Sequence, residues 1–101
     1  MMKKLNNKSD LQDQHLNGKA IVAFRAVWCP PCQMMGPELQ RLSENHEDIN
    51  VFDLDVDQNI DFAREMGVQG IPSLFLYEDG KLVNHVVGYM PAEELVKRFQ
   101  K

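Results

Sequence analysis

The stretch KAIVAFRAVWCPPCQMMGPELQRLSEN, residues 19–45, changes its periodicity half-way along. Its first part, Lys19 to Ala26, holds Ala20, Ile21, Val22, Ala23 and Phe24 in a nearly continuous apolar run, the pattern of a strand covered on both faces. From Pro30 to about Asn45 the apolar residues Met35, Leu39 and Leu42 fall at helical spacing, with Gln40, Arg41 and Glu44 on the other side. Pro37 is expected to kink this helix, because it removes one backbone donor and crowds the preceding turn. Ile49 to Val56, INVFDLDV, reads as a second strand, and the strand-helix-strand order implies a right-handed crossover with parallel pairing.

Outward from this unit the punctuation is that of a single domain spanning residues 1–101, without internal repeats or a low-complexity linker. Residues 2 to 5 are too short to assign. Ser9 or Asp10 is placed to cap a short helix reaching about His15, with Asn17 and Gly18 as its stop. Residues 59 to 66 form another short helix ended by Gly67, followed by a loop from Val68 to Pro72. Ser73–Tyr77 and Leu82–Val87 flank a Glu78-Asp79-Gly80-Lys81 turn, which predicts an antiparallel hairpin. Pro91 opens a last helix to about Phe99, with Glu93 and Glu94 near the positive end of its dipole. The fold class is α/β: a central mixed sheet flanked by helices.

Fifteen acidic against eleven basic residues, a formal charge of -4, argue against an electrostatic footprint for nucleic acid or anionic lipid. No run approaches the roughly twenty apolar residues a membrane-crossing helix needs, and Met1 to Leu16 has no apolar stretch of the signal-peptide kind. A cytoplasmic monomer with protein partners is therefore expected. In a reducing compartment two cysteines three positions apart make poor candidates for a permanent staple, which leaves catalysis or metal binding.

Trp28, Cys29, Pro30, Pro31 and Cys32 occupy the junction between the central strand and the long helix. A sulfur at a helix N-terminus faces unpaired backbone N–H groups and the positive end of the dipole, so its thiolate is favoured; Cys29 is the expected nucleophile. Cys32, one turn further in, is placed to attack a mixed disulfide on Cys29 and release the partner. Zinc or an iron-sulfur cluster would need about four ligands, and the chain has no second cysteine pair, although a cluster shared between molecules stays open. His15, His46 and His85 are scattered and read as surface residues. Alternation of Asp53, Asp55 and Asp57 along a strand reads as a solvated or polar face rather than a metal site. Neither a metal nor an organic cofactor is expected.

The motif Trp-Cys-Pro-Pro-Cys, residues 28–32, resembles the Trp-Cys-Gly-Pro-Cys active site of the thioredoxin family at the equivalent point of a strand-helix unit. Ile71-Pro72 resembles that family's cis-proline, and Phe24, Pro37, Asp57, the Asp79-Gly80 turn and Val87-Gly88 are also similar to its positions. The likeness runs from about Lys19 to the C-terminus. It implies a thioredoxin fold and a protein thiol-disulfide oxidoreductase active in electron transport and redox homeostasis. Its implied partners are disulfide-containing proteins and a thioredoxin-reductase-like electron donor. It further implies a shallow apolar substrate rim drawn from Trp28, Pro30, Pro31, Ile71, Pro72, Gly88 and Tyr89.

Four positions depart from the family. Its buried Asp on the central strand is matched by Ala23, and its Lys on the neighbouring strand by Asp53. One expectation is that the carboxylate has crossed the sheet, so that Asp53 takes the proton from Cys32; the alternative leaves Asp53 solvated at a strand end. Pro30 in place of Gly offers no N–H to a sulfur and stiffens the loop. Arg25 stands where an aromatic residue is common and is expected to end the strand in solvent. Two other functions compete: a redox-inactive binding or chaperone-like module using the same rim, and an oxidase or isomerase running the exchange in the oxidising direction.

Overall fold

A computed structural model describes residues 1–99; the last two residues of the expected domain lie outside the described part. Five strands, β1 (Met2–Lys4), β2 (Lys19–Arg25), β3 (Ile49–Asp55), β4 (Ser73–Glu78) and β5 (Lys81–Val87), form one mixed sheet in the order β1-β3-β2-β4-β5. Its helices are α1 (Pro30–Asn45), α2 (Ile60–Glu65) and α3 (Ala92–Lys97). Strand β2 pairs in parallel with β3 and antiparallel with β4, which gives the central position that the apolar run predicts and the parallel pairing that the strand-helix-strand order predicts.

Both faces of β2 are covered, and the side chains divide by parity. Ile21 and Ala23 pack with Val51 against Met35, Leu39 and Leu42 of α1 and Leu95 of α3. Ala20, Val22 and Phe24 pack on the other face with Phe52, Leu54 and Phe62 of α2. Phe24 sits edge-on to Phe62 and Phe75, at ring-centroid distances of 5.3 and 5.7 Å. This period-two division is why the strand reads as continuous hydrophobicity rather than alternation.

Helix α1 has the bounds expected and runs through Pro37 without interruption. At the N-terminus Met2–Lys4, unassigned from sequence, is a strand paired with β3, and the single short helix expected is instead two 3-10 helices, Lys8–Asp10 and Asp13–Leu16. Neither Ser9 nor Asp10 caps a helix: Asp10 ends the first of these and its carboxylate accepts the Asn6 N–H. The hairpin turn is tighter than a four-residue loop. Asp79 and Gly80 alone connect β4 to β5, with φ of 52° and 82°, the pair of positive values a two-residue turn of this twist demands.

Candidate active site

The cysteines sit where β2 hands the chain to α1. Cys29 is the N-cap of α1, with its backbone still extended, while Cys32 lies in the first helical turn. Pro30 and Pro31 at the first two helical positions cost no hydrogen bond, because those N–H groups have no partner inside a helix. Both thiols are free and both are buried, Cys29 at 5% and Cys32 at 1% exposure. They cluster with Ala26, and Val56 and Ile71 pack against them. Burial pushes the Cys32 thiol up to about 11, helped by its hydrogen bond to Cys29, while the Ala26 backbone and the Arg25 charge pull the other way.

Opposite the cysteines the chain passes through a cis peptide at Ile71-Pro72. Pro72 is buried and Ile71 half-buried. Pro72 thus lies just beneath the surface that Ile71 reaches. Its carbonyl accepts the Gly88 N–H at 2.8 Å, which ties the end of β5 to this loop and brings Tyr89, itself exposed, after it. Ser73 supports the loop from below: its hydroxyl donates to the Gly70 carbonyl and therefore accepts from His85 Nε2. Trp28 is 63% exposed and is held by a 2.7 Å bond from its indole N–H to Asp57. Between Trp28 and Ile71 runs a surface groove of about 580 Å³, whose lining includes Ile60, Val68 and Gly70. Pro30 and Pro31 are exposed.

Three aspartates of the alternating acidic run have separate partners. Asp55 caps the 3-10 turn Val56–Gln58 by accepting the Asp57 N–H, and Asp57 anchors Trp28. Asp53 is buried, not solvated. Both of its oxygens accept from Arg25, Oδ1 from Nε at 2.8 Å and Oδ2 from Nη2 at 2.7 Å. Arg25 is accordingly not a strand end in solvent: it folds back under α1, and its Nη1 donates to the Cys32 carbonyl at 3.0 Å. Sequence reasoning missed this contact because the two residues are 28 apart in the chain. The legible signal was parity: Ala23 pairs with Asp53 across parallel strands, so Arg25, two residues on, shares its face.

The geometry is that of a dithiol pair at a helix start beside a cis-proline loop, and its wider likeness is now decisive. A family model described as Thioredoxin matches residues 2–101. The chain belongs to the thioredoxin family. It is 35% identical over 96 residues to a thioredoxin of Mycoplasmoides gallisepticum, covering 93% of this chain and 95% of that one. To a thioredoxin of Staphylococcus saprophyticus it is 37% identical over 94 residues, covering 92% and 90%. Among solved structures it superposes on a Nicotiana alata thioredoxin with a TM-score of 0.86 at 34% identity, covering 97% of this chain and 89% of that one. It also superposes on mitochondrial thioredoxin 3 of Saccharomyces cerevisiae in its oxidized form, with a TM-score of 0.84 at 31% identity, covering 99% and 95%. The thioredoxin fold expected from sequence is the fold found, and the activity is thiol-disulfide oxidoreduction by the cysteine pair, that of a protein-disulfide reductase. No helix among the described residues is long and apolar enough to cross a membrane.

Proposed function

We propose that the chain reduces disulfides of partner proteins in two steps, with Cys29 as the attacking sulfur and Cys32 as the resolving one. The Cys29 thiolate forms a bond to one substrate sulfur, and the other substrate sulfur leaves as a thiolate and takes up a proton. Cys32 then loses its proton and attacks the Cys29 sulfur, closing a Cys29–Cys32 disulfide and expelling the remaining substrate thiolate. Two electrons pass to the substrate, and a thioredoxin-reductase-like donor returns them. A reducing compartment, the cytoplasm, suits this cycle.

The observation that carries the assignment is positional: Cys29 is the helix N-cap and Cys32 is one turn inside it and almost fully covered. A thiol that is buried and pushed up to about 11 is a poor first nucleophile at neutral pH, so the first attack falls to its neighbour. The substrate lies in the groove between Trp28 and Ile71, where extended backbone of many sequences fits against apolar walls.

Insulin-disulfide reduction tests the proposal. The native chain should accelerate it, Cys29→Ser should abolish it, and Cys32→Ser should accumulate a covalent mixed disulfide through Cys29. Trapping through Cys32 in a Cys29→Ser chain, with none in the converse variant, would reverse the roles.

A further inference from the structure

The two-step cycle requires Cys32 to give up a proton inside the protein, yet Ala23 stands at the strand position where the family commonly carries an acid. What the structure puts beside Cys32 is a guanidinium. Arg25 reaches back from the last residue of β2 and is fixed by three hydrogen bonds, two to Asp53 and one to the Cys32 carbonyl. Room for it comes from α1. A Cβ on Gly36 would lie 2.7 Å from Arg25 Nη1, closer than real side-chain carbons come to a neighbour. A glycine in the middle of a helix lowers its stability, so its presence where a guanidinium passes marks a helix surface notched for that group.

We propose that Arg25, gripped by Asp53 and admitted by Gly36, is a positioning residue for the resolving step: its fixed positive charge beside Cys32 stabilises the thiolate, and Asp53 is its anchor rather than the proton acceptor. This rests on the assignment of Cys32 as the resolving sulfur. Both Asp53 oxygens already accept hydrogen bonds from the guanidinium, and among the described residues no contact joins either of them to the Cys32 sulfur. Arg25 keeps its charge across all working pH values, its own pKa being raised by Asp53 above the ordinary value. The proton of Cys32 leaves for water, and the charge left on sulfur finds a cation in place. The Arg25 charge favours the Cys32 thiolate, as does the Ala26 backbone more strongly, while burial first and Cys29 after it oppose ionisation. When Cys29 enters the mixed disulfide it can no longer ionise, its opposition ceases, and burial is then set against Arg25 and the Ala26 backbone alone.

The two roles for Asp53 predict opposite signs. If Asp53 were the base, Arg25→Gln would free it and speed resolution; if Arg25 supplies the charge, the same change slows it. The measurement is the pH profile of the second thiol-release phase when the reduced chain meets excess aromatic disulfide, read by stopped flow. A parallel titration follows the ultraviolet thiolate absorbance of Cys32 in a Cys29→Ser chain. Arg25→Gln should move the Cys32 midpoint up by about one pH unit, which leaves about a tenfold smaller thiolate fraction of a somewhat better nucleophile and so about a threefold slower second phase below that midpoint. Arg25→Lys should recover part of the loss, because it restores charge without the fork. The double variant Arg25→Gln/Asp53→Asn leaves a neutral pair and guards against unfolding from an orphaned carboxylate; it should be as slow as Arg25→Gln. A faster second phase in Arg25→Gln, or an unmoved Cys32 midpoint in both variants, would overturn the proposal. Failure of the underlying two-step assignment looks different: no second release phase in the native chain, or trapping through Cys32.

Discussion

Gly36→Ala is the substitution on which ordinary helix energetics and the Arg25 notch disagree most sharply. Propensity alone says that alanine inside a helix stabilises by about 1 kcal/mol over glycine. Against this, the new methyl would stand 2.7 Å from Arg25 Nη1, whereas unstrained contacts begin near about 3.5 Å. The guanidinium must retreat by roughly 0.8 Å, which carries the 3.0 Å bond to the Cys32 carbonyl past the reach of a hydrogen bond. Loss of one hydrogen bond from a charged donor costs about 1.5–3 kcal/mol, so the net effect is destabilisation by about 0.5–2 kcal/mol. Urea unfolding of the dithiol form measures this, and a double-mutant cycle isolates its cause. In a chain where Arg25→Ala and Asp53→Asn have removed the guanidinium and neutralised its anchor, Gly36→Ala should instead stabilise by about 1 kcal/mol. A native-background Gly36→Ala that gains about 1 kcal/mol, with no coupling in the cycle, would refute the idea that the glycine exists to admit Arg25.

Other outcomes follow from single contacts. The Cys32 pKa is raised from 9.0 to about 11, so the native state holds its proton longer than the unfolded chain. The stability of the dithiol form should therefore be complete below pH 9.0 and fall as pH rises toward about 11, a step that Cys32→Ser removes from the urea midpoint profile. Glu38 on α1 accepts the Ala92 N–H at the start of α3 at 2.9 Å, capping a helix from a distance. Glu38→Ala should cost about 1 kcal/mol in chemical unfolding, and Arg41→Ala, which removes only the surface ion pairs to Glu38 and Glu93, should cost less. Leu39 is fully buried between the sheet and α3, and Leu39→Ala should lower unfolding free energy by about 2–5 kcal/mol; a loss below about 1 kcal/mol would mean the α1 face is not the core.

Much of this molecule was legible in the chain because its signals are local. The apolar run of β2, the helical spacing of α1, the Asp79-Gly80 turn and the two cysteines one turn apart each depend on residues a few positions from one another, so periodicity and backbone preference sufficed to place them. The Ile71-Pro72 loop came from resemblance. Where the reading failed, the missing information was long-range. β1 is three residues long and exists because β3 offers it an edge, not because its own sequence prefers extension.

The partner of Asp53 was likewise decided by packing. Sequence by itself determined that an arginine closed the central strand and that Asp53 lay on the next one; that these positions and Ala23 depart from the family came from the resemblance. Only the parallel register of β2 on β3 put that arginine and that aspartate on one face, and only the passage of α1 over the sheet brought Gly36 and the Cys32 carbonyl to meet the guanidinium. An extended chain has one neighbour on each side. A folded sheet under a helix has many, and the charges that set the chemistry of a buried thiol come from those.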